Sequence, residues 1–337
     1  MATALDAWKD GVQRVRKAPA ILVGAFAITV FSTLPMAFVL HASIATHLGN
    51  SMAAVEAVEG FNLDWWQEFS TQTSSLSETF SPSIIGFAAT LNNLSSILDG
   101  QLETPAITWA LGINFLIWTF LFGGIIDRYA RQHATQASGF FTTSGVFFFR
   151  FLRLAVISLG VYWFLFSLVH GWIFNNWYSW ATHEVTVERT AFFWRLIMYV
   201  IFGTLLIIAN IVFDYAKIRA VVEDRRSMLG ALLSAIRFIV RHPGRIIRLY
   251  LLNGAIFVCL ILLWSIIAPG AKDVNLTMWL GLIAAQMYVL ARLFVKLLFV
   301  ASQTSLFQAS LAHARYTAKP VAKWPESPAV TAIDSNR

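Results

Sequence analysis

Two kinds of residue are scarce in this 337-residue chain, and each scarcity excludes a class of protein. Cysteine occurs once, as Cys259 inside an apolar run, so no intramolecular disulfide and no thiolate metal site can form. Charged residues make up only 13% of the chain, against about 25% in a typical soluble domain. Because hydrophobic residues reach 57%, an ordinary soluble globular domain is excluded.

The apolar residues are gathered into long runs that match the thickness of a bilayer. A helix of about 20 apolar residues crosses the hydrocarbon core, and only helices or closed barrels can satisfy their backbone there. No short alternating strands of the barrel type occur. The first run is about twice as long as a signal-peptide core, so we read it as a retained helix. The six predicted spans are Ala20–Leu40, Ile107–Ile126, Leu154–Phe174, Ala191–Phe213, Leu249–Ala268 and Met278–Val300.

Basic residues predict the orientation of these spans. No lysine or arginine occurs between Lys17 and Arg128, and all 25 except Arg189, Arg195 and Lys272 fall on one side of the six spans. The positive-inside rule then places both termini in the cytoplasm, as expected for a multi-pass protein of the inner (plasma) membrane. The basic charge therefore indicates anionic lipid headgroups at the cytoplasmic face as partners, and not nucleic acid.

The sequence predicts an all-α polytopic bundle with extramembrane helices. Residues 1–19 are expected to form a cytoplasmic interfacial helix, residues 20–317 the membrane domain, and residues 318–337 a flexible cytoplasmic tail. Within the membrane domain, residues 41–105 form an acidic extracytoplasmic insert and residues 214–248 a basic cytoplasmic helical loop. The insert, His41–Pro105, contains a capped apolar stripe from Ile84 to Leu98, which fits a small helical cap or a partner site.

The cytoplasmic loop contains an amphipathic helix at Leu229–Val240, which is too short to cross the membrane and ends at Pro243. The N-terminal segment has a similar stripe that includes Leu5 and Val15. Asp127 precedes Arg150 by 23 residues, and Asp214 precedes Arg237 by the same interval. These matches predict three units, each with an interfacial helix followed by an outward and a returning span.

Catalytic, cofactor and metal signatures are missing from the sequence. His183-Glu184 could begin a His-Glu-x-x-His zinc motif, but Val187 occupies the position of the second histidine. Gly123-Gly124 ends an apolar run and is typical of close helix packing, not of a phosphate loop. We therefore assign no catalytic residue, no cofactor and no metal ligand.

Four charged residues near the cytoplasmic ends of returning spans form the candidate site. Asp127, Asp214, Arg292 and Lys296 lie in apolar surroundings, where a charge must pair or reach the interface. We predict an intramembrane charge clasp, in which Arg292 pairs with Asp127 or Asp214. Simple snorkelling to the interface and a proton or substrate relay are the alternatives.

The strings Asp214-Tyr-Ala-Lys, Glu223-Asp-Arg-Arg-Ser-Met and Arg241-His-Pro resemble uncharacterised bacterial multi-spanning membrane proteins. The alternation of basic interfacial helices with apolar hairpins also resembles the membrane domain of some glycerophosphodiester phosphodiesterases. The resemblance is architectural and covers most of the chain. Because this chain has no soluble catalytic domain, the resemblance implies neither phosphodiesterase activity nor any functional residue.

Two functions fit these patterns best, and an intramembrane enzyme is a third hypothesis. The first is a non-enzymatic inner-membrane protein that organises or assists other membrane components, including another membrane or periplasmic protein. The alternative is a small permease for a lipid-like or small anionic solute, suggested by the repeat and the intramembrane charges. A continuous polar cavity reaching Arg292 favours the permease, whereas a bundle filled by phenylalanine and leucine favours the organising protein.

Overall fold

A computed structural model describes most of the chain. The described residues are 3–49, 51–59, 62–80, 95–96, 98–99, 105–132, 136–268 and 276–313. Their regular structure is helical throughout, with no strand among them.

The helices are numbered in chain order. They are α1 (Ala4–Arg16), α2 (Pro19–Leu48), α3 (Ala53–Glu59), α4 (Leu63–Gln72), α5 (Pro105–Arg131), α6 (Ala137–Phe164), α7 (Glu188–Val222), α8 (Met228–Arg241), α9 (Pro243–Ile267) and α10 (Leu276–His313). Helix α6 continues through two π-helical segments, Leu165–Val169 and Trp172–Trp177, into a last α-helical turn, Tyr178–Thr182. Helices α2, α5, α6 with its continuation, α7, α9 and α10 are long and apolar enough to cross a membrane. The six predicted spans are therefore confirmed, and the protein is an all-α multi-pass membrane protein.

The two ends of the bundle differ in their extramembrane helices. We call the end with α1 and α8 the basic end, and the end with α3 and α4 the cap end. Successive spans alternate in direction, so that α2, α6 and α9 start at the basic end, whereas α5, α7 and α10 finish there. We call the half of the bundle next to the basic end the basic half, and the half next to the cap end the cap half.

The packing of the basic half follows the three predicted units in a ring. The first helix of each unit packs against the returning span of the unit before it: α1 against α10, the start of α6 against α5, and α8 against α7. Small residues bring the backbones together. A Cβ at Gly11 would lie 2.8 Å from the Cα of Ser302, and a Cβ at Gly124 would lie 2.5 Å from the Oγ of Ser144. Because α1 contacts the last span, the ring closes between the first and third units.

Proline decides where a unit is divided into two helices. Pro19 is the first residue of α2 and Pro243 is the first residue of α9, so the chain breaks between α1 and α2 and between α8 and α9. The second unit has no proline at the corresponding place, and α6 runs unbroken past Arg150. The prediction of a separate interfacial helix in every unit is therefore wrong for the second unit.

The two separate amphipathic helices pack partly through small residues that the sequence stripes did not include. Helix α8 buries Ala231, Ala235 and Phe238, while Leu229 and Val240 of the predicted stripe are 63% and 71% exposed. These exposed residues leave an uncovered apolar surface on α8, which is not among the helices long enough to span the membrane. On α1, the buried set is Ala7, Gly11, Arg14 and Val15, so that Val15 of the predicted stripe is buried whereas Leu5 is exposed.

The cap is built on the last turns of α2. The Trp65 indole donates to the Nδ1 of His47, and the Ser77 hydroxyl donates to the Ser43 hydroxyl at 2.9 Å. Phe69 of α4 is fully buried against the His47 and Trp65 rings. These contacts hold α4 against α2, which extends beyond its predicted end. The predicted stripe from Ile84 to Leu98 lies mostly outside the described residues.

Candidate functional site

Each of the two candidate aspartates is paired within its own helix. Asp127 is buried on α5 and accepts from the Nε of Arg131 at 2.7 Å. Asp214 on α7 accepts from the Nζ of Lys217 at 2.9 Å. A basic residue three or four positions along a helix faces the same side, so each carboxylate finds a counter-charge without a second span.

Arg292 does not form the predicted clasp. It lies on an exposed face of α10, with its guanidinium carbon 5.8 Å from the ring centroid of Tyr288. No ion pair joins it to Asp127 or Asp214, all three residues being described. A helical side chain points back toward the preceding turn, which places the guanidinium over a residue four positions earlier. The prediction of an Arg292 ion pair is therefore wrong.

Lys296 is the member of the candidate set that turns toward a neighbouring span. Its Nζ lies 3.2 Å from the ring centroid of Trp118 and 5.8 Å from that of Phe122, both on α5. Lys217 approaches the same Phe122 ring, at 4.7 Å from its Nζ. Two ammonium groups from α7 and α10 thus converge on one aromatic surface, with Asp214 as the carboxylate near them. Aromatic faces attract cations and offset part of the cost of removing them from water.

A cavity of about 170 Å³ opens beside this pair, between α5, α6 and α7. Its wall is mostly aromatic and aliphatic, and Lys217 is its charged residue. Tyr162 and Asn210 add polar groups, and the Asn210 amide donates to the Tyr250 hydroxyl near the wall. Arg292 does not line the cavity. An apolar space with one cationic wall suits a small group with a negative charge and an apolar body.

Sequence reasoning missed Lys217 and Trp118 as parts of this site. Lys217 is one of the many basic residues that indicate the topology, but its spacing of three residues from Asp214 is also a signal of pairing within the helix. Trp118 lies within an apolar run, where a tryptophan is expected simply to contact lipid or neighbouring apolar side chains. Its position over Lys296 depends on how α5 and α10 face each other, which a single sequence does not specify.

A second polar cluster lies at the cap end. The Tyr199 hydroxyl donates to Asp99, and Arg195 donates to the same Tyr199 oxygen at 3.3 Å. The hydrogen bond from Tyr199 lowers the pKa of Asp99 below its ordinary value, assisted by Ser95 and the charge of Arg195. The cluster connects the described residues of the insert to α7. Among the described parts of the chain, no group of three or more His, Cys, Asp or Glu side chains could hold a metal ion.

Comparison with protein-family models, with curated proteins and with solved structures finds no match to this chain.

Proposed function

We propose that this protein is a non-enzymatic inner-membrane protein that organises or assists other membrane components through α2 and the cap. In this proposal the basic end and both termini face the cytoplasm, as the basic residues favour. Anionic lipid headgroups then surround the basic end. The observation that carries the proposal is the isolation of α2 from the rest of the bundle.

Helix α2 leaves the bundle within its first three turns. It has 30 residues, about 45 Å of helix, and only Ala25 is buried. From Phe31 to Val39 nearly every side chain is exposed, with Phe31 at 74% and Phe38 at 64%. Because the part of α2 from Phe31 to Val39 is largely uncovered, it can contact a second membrane protein without rearrangement of the bundle.

The cap adds a charged surface to this helix. Glu56, Asp64 and Glu68 are exposed on or beside α3 and α4, and no lysine or arginine occurs in the insert. A partner with a basic extracytoplasmic surface is complementary to it, and such complementarity favours encounter and orientation. A partner could therefore contact two adjoining surfaces, the apolar surface of α2 and the acidic surface of the cap.

Site-specific photo-crosslinking in native membranes tests this function. A photoreactive phenylalanine analogue replaces Phe31, and a matched variant carries it at Val258, an exposed position at a similar distance from the start of α9. We expect a discrete protein adduct from position 31 and none from position 258. Lipid adducts alone at position 31, or the same adducts from both positions, contradict the proposal.

A second candidate, a permease for a lipid-like or small anionic solute, is favoured by the convergence of Lys217 and Lys296 at the cavity. Against it, the cavity does not reach Arg292, and the basic half is filled by side chains such as Phe151, Phe213 and Leu297. Uptake of an anionic amphiphile into proteoliposomes distinguishes the two functions. Uptake by the wild type that is lost in Lys296→Gln, together with no protein adduct at α2, would favour the permease.

A further inference from the structure

A second apolar cleft lies at the basic end, apart from the lysine cavity. It runs between the start of α2, the basic half of α5 and the start of α6, and has a volume of about 440 Å³. Its walls include Ile21 and Ile28 of α2, Leu121 and Ile125 of α5, and Phe140 of α6. The volume lies within the range of about 300–1,000 Å³ that small-molecule sites occupy.

The cleft is cationic at the basic end. Lys17 and Arg128 both line it, and no carboxylate is among the described residues of its wall. Arg128 donates from Nη2 to the Lys17 carbonyl at 3.3 Å, which leaves other guanidinium donors for a ligand. Helices α2 and α6 both begin at the cleft, and neither is capped by a side chain. Their positive ends add to the field of the two side chains.

We propose that this cleft binds one anionic phospholipid of the leaflet at the basic end. An acyl chain lies along Ile21, Ile28 and Leu121, and the phosphate lies between Lys17 and Arg128. The cleft itself is the kind of basic pocket between spans that selects anionic headgroups. This site is independent of the organising function proposed above.

Gly24 supplies a direct way to fill the cleft. It lies in the wall, and a Cβ added there would meet no atom within 4 Å. Because Gly24 lines the cleft and a Cβ there has open space around it, Gly24→Leu is expected to fill part of the space assigned to the acyl chain. Gly160 on α6 is also open, since a Cβ there meets nothing within 4 Å, and it lies outside the cleft. Gly160→Leu is the matched control.

Native mass spectrometry of the purified full chain, exchanged into micelles with either phosphatidylglycerol or phosphatidylcholine, measures the retained lipid. We expect the wild-type protein to retain one phosphatidylglycerol in preference to phosphatidylcholine. Lys17→Ala with Arg128→Ala is expected to weaken phosphatidylglycerol retention by about 30-fold, from the usual attraction per basic residue at an anionic surface. Gly24→Leu is expected to abolish the retention of phosphatidylglycerol, because the leucine occupies the space of the acyl chain.

Removal of two basic residues elsewhere on the protein should not weaken the retention of phosphatidylglycerol. Arg153→Ala with Arg248→Ala removes the same charge from exposed positions outside the cleft. We expect this variant and Gly160→Leu to retain phosphatidylglycerol as the wild type does. Equal retention by Gly24→Leu, or equal losses in the control charge variant, overturns the proposal, because the lipid is then held by general surface attraction.

Discussion

The basic half and the cap half of the bundle are built from the same kinds of apolar helix, yet they pack differently. In the basic half, Asn253 and Ser302 are completely buried and joined by a 2.9 Å hydrogen bond between α9 and α10. In the cap half, Ile266 of α9 and Leu276 of α10 are 82% and 71% exposed. One local cluster, centred on Phe202, packs α7 against the continuation of α6.

This difference follows from side-chain size and polarity more than from hydrophobicity. Lipid tails are as apolar as leucine, so helices in a membrane associate through close backbone approach and hydrogen bonds. The basic half has Gly11, Gly124 and Ser302 at its contacts, whereas the cap half presents large aliphatic and aromatic residues. The basic half is therefore the fixed scaffold, and the cap half is the part available to lipid or a partner.

Gly11→Ala should produce the largest loss of stability. Its Cβ would lie 2.8 Å from the Cα, Cβ and N of Ser302, so α1 must move away from α10. We expect a loss of about 2–3 kcal/mol, the upper range for overpacking. Reversible unfolding in mixed micelles measures it.

Gly112→Ala is the matched control in the cap half, because a Cβ there meets no atom within 4 Å. It should be neutral or stabilise by up to about 1 kcal/mol, as alanine is the better helix former. If both substitutions have the same effect, the two halves do not differ in the way described.

Arg14→Ala should have the next largest effect. The Arg14 guanidinium is buried and donates to Asp10 at 2.7 Å, to the Tyr129 carbonyl at 2.9 Å and to Gln308 at 2.7 Å, which joins α1 to α5 and α10. Burial lowers the pKa of Arg14, and the charge of Asp10 opposes that shift. Removing the donor leaves buried acceptors unpaired, at a cost of about 1.5–3 kcal/mol.

Arg16→Ala, two positions further along α1, serves as its control because Arg16 is exposed. The same unfolding measurement should show a change within about 0.5 kcal/mol for this variant. A loss for Arg16→Ala as large as that for Arg14→Ala would mean that only charge at the basic end matters, not the buried network.

The sequence is sufficient to predict where the membrane spans lie, but it does not predict which side of each helix packs against its neighbours. Runs such as Ala191–Phe213 are long enough that only a helix fits, and α7 confirms the run. On α1 the stripe includes Val15, which is buried, and Leu5, which is exposed, but it does not mark Gly11, where α1 comes closest to α10. Hydrophobic periodicity identifies positions with large apolar side chains. Closely packed helices in membranes instead meet at positions with small side chains, which periodicity does not mark. The orientations of Arg292 and Lys296 depended on the packing of α10 against α5, which no local pattern encodes.

The smallest expected effect is that of Arg292, and it tests whether the candidate site lies where the structure has it. Arg292→Leu removes only a contact with Tyr288 at an exposed position, so we expect a change within about 1 kcal/mol. Lys296 is also exposed but makes the closer contact, with Trp118, and Lys296→Leu should cost about 1 kcal/mol. A double-mutant cycle of Arg292→Asp with Asp127→Arg should show additive losses and no rescue, because the two side chains form no ion pair. A favourable coupling above about 1 kcal/mol in that cycle would restore the interhelical clasp and shift the candidate site from Lys296 to Arg292.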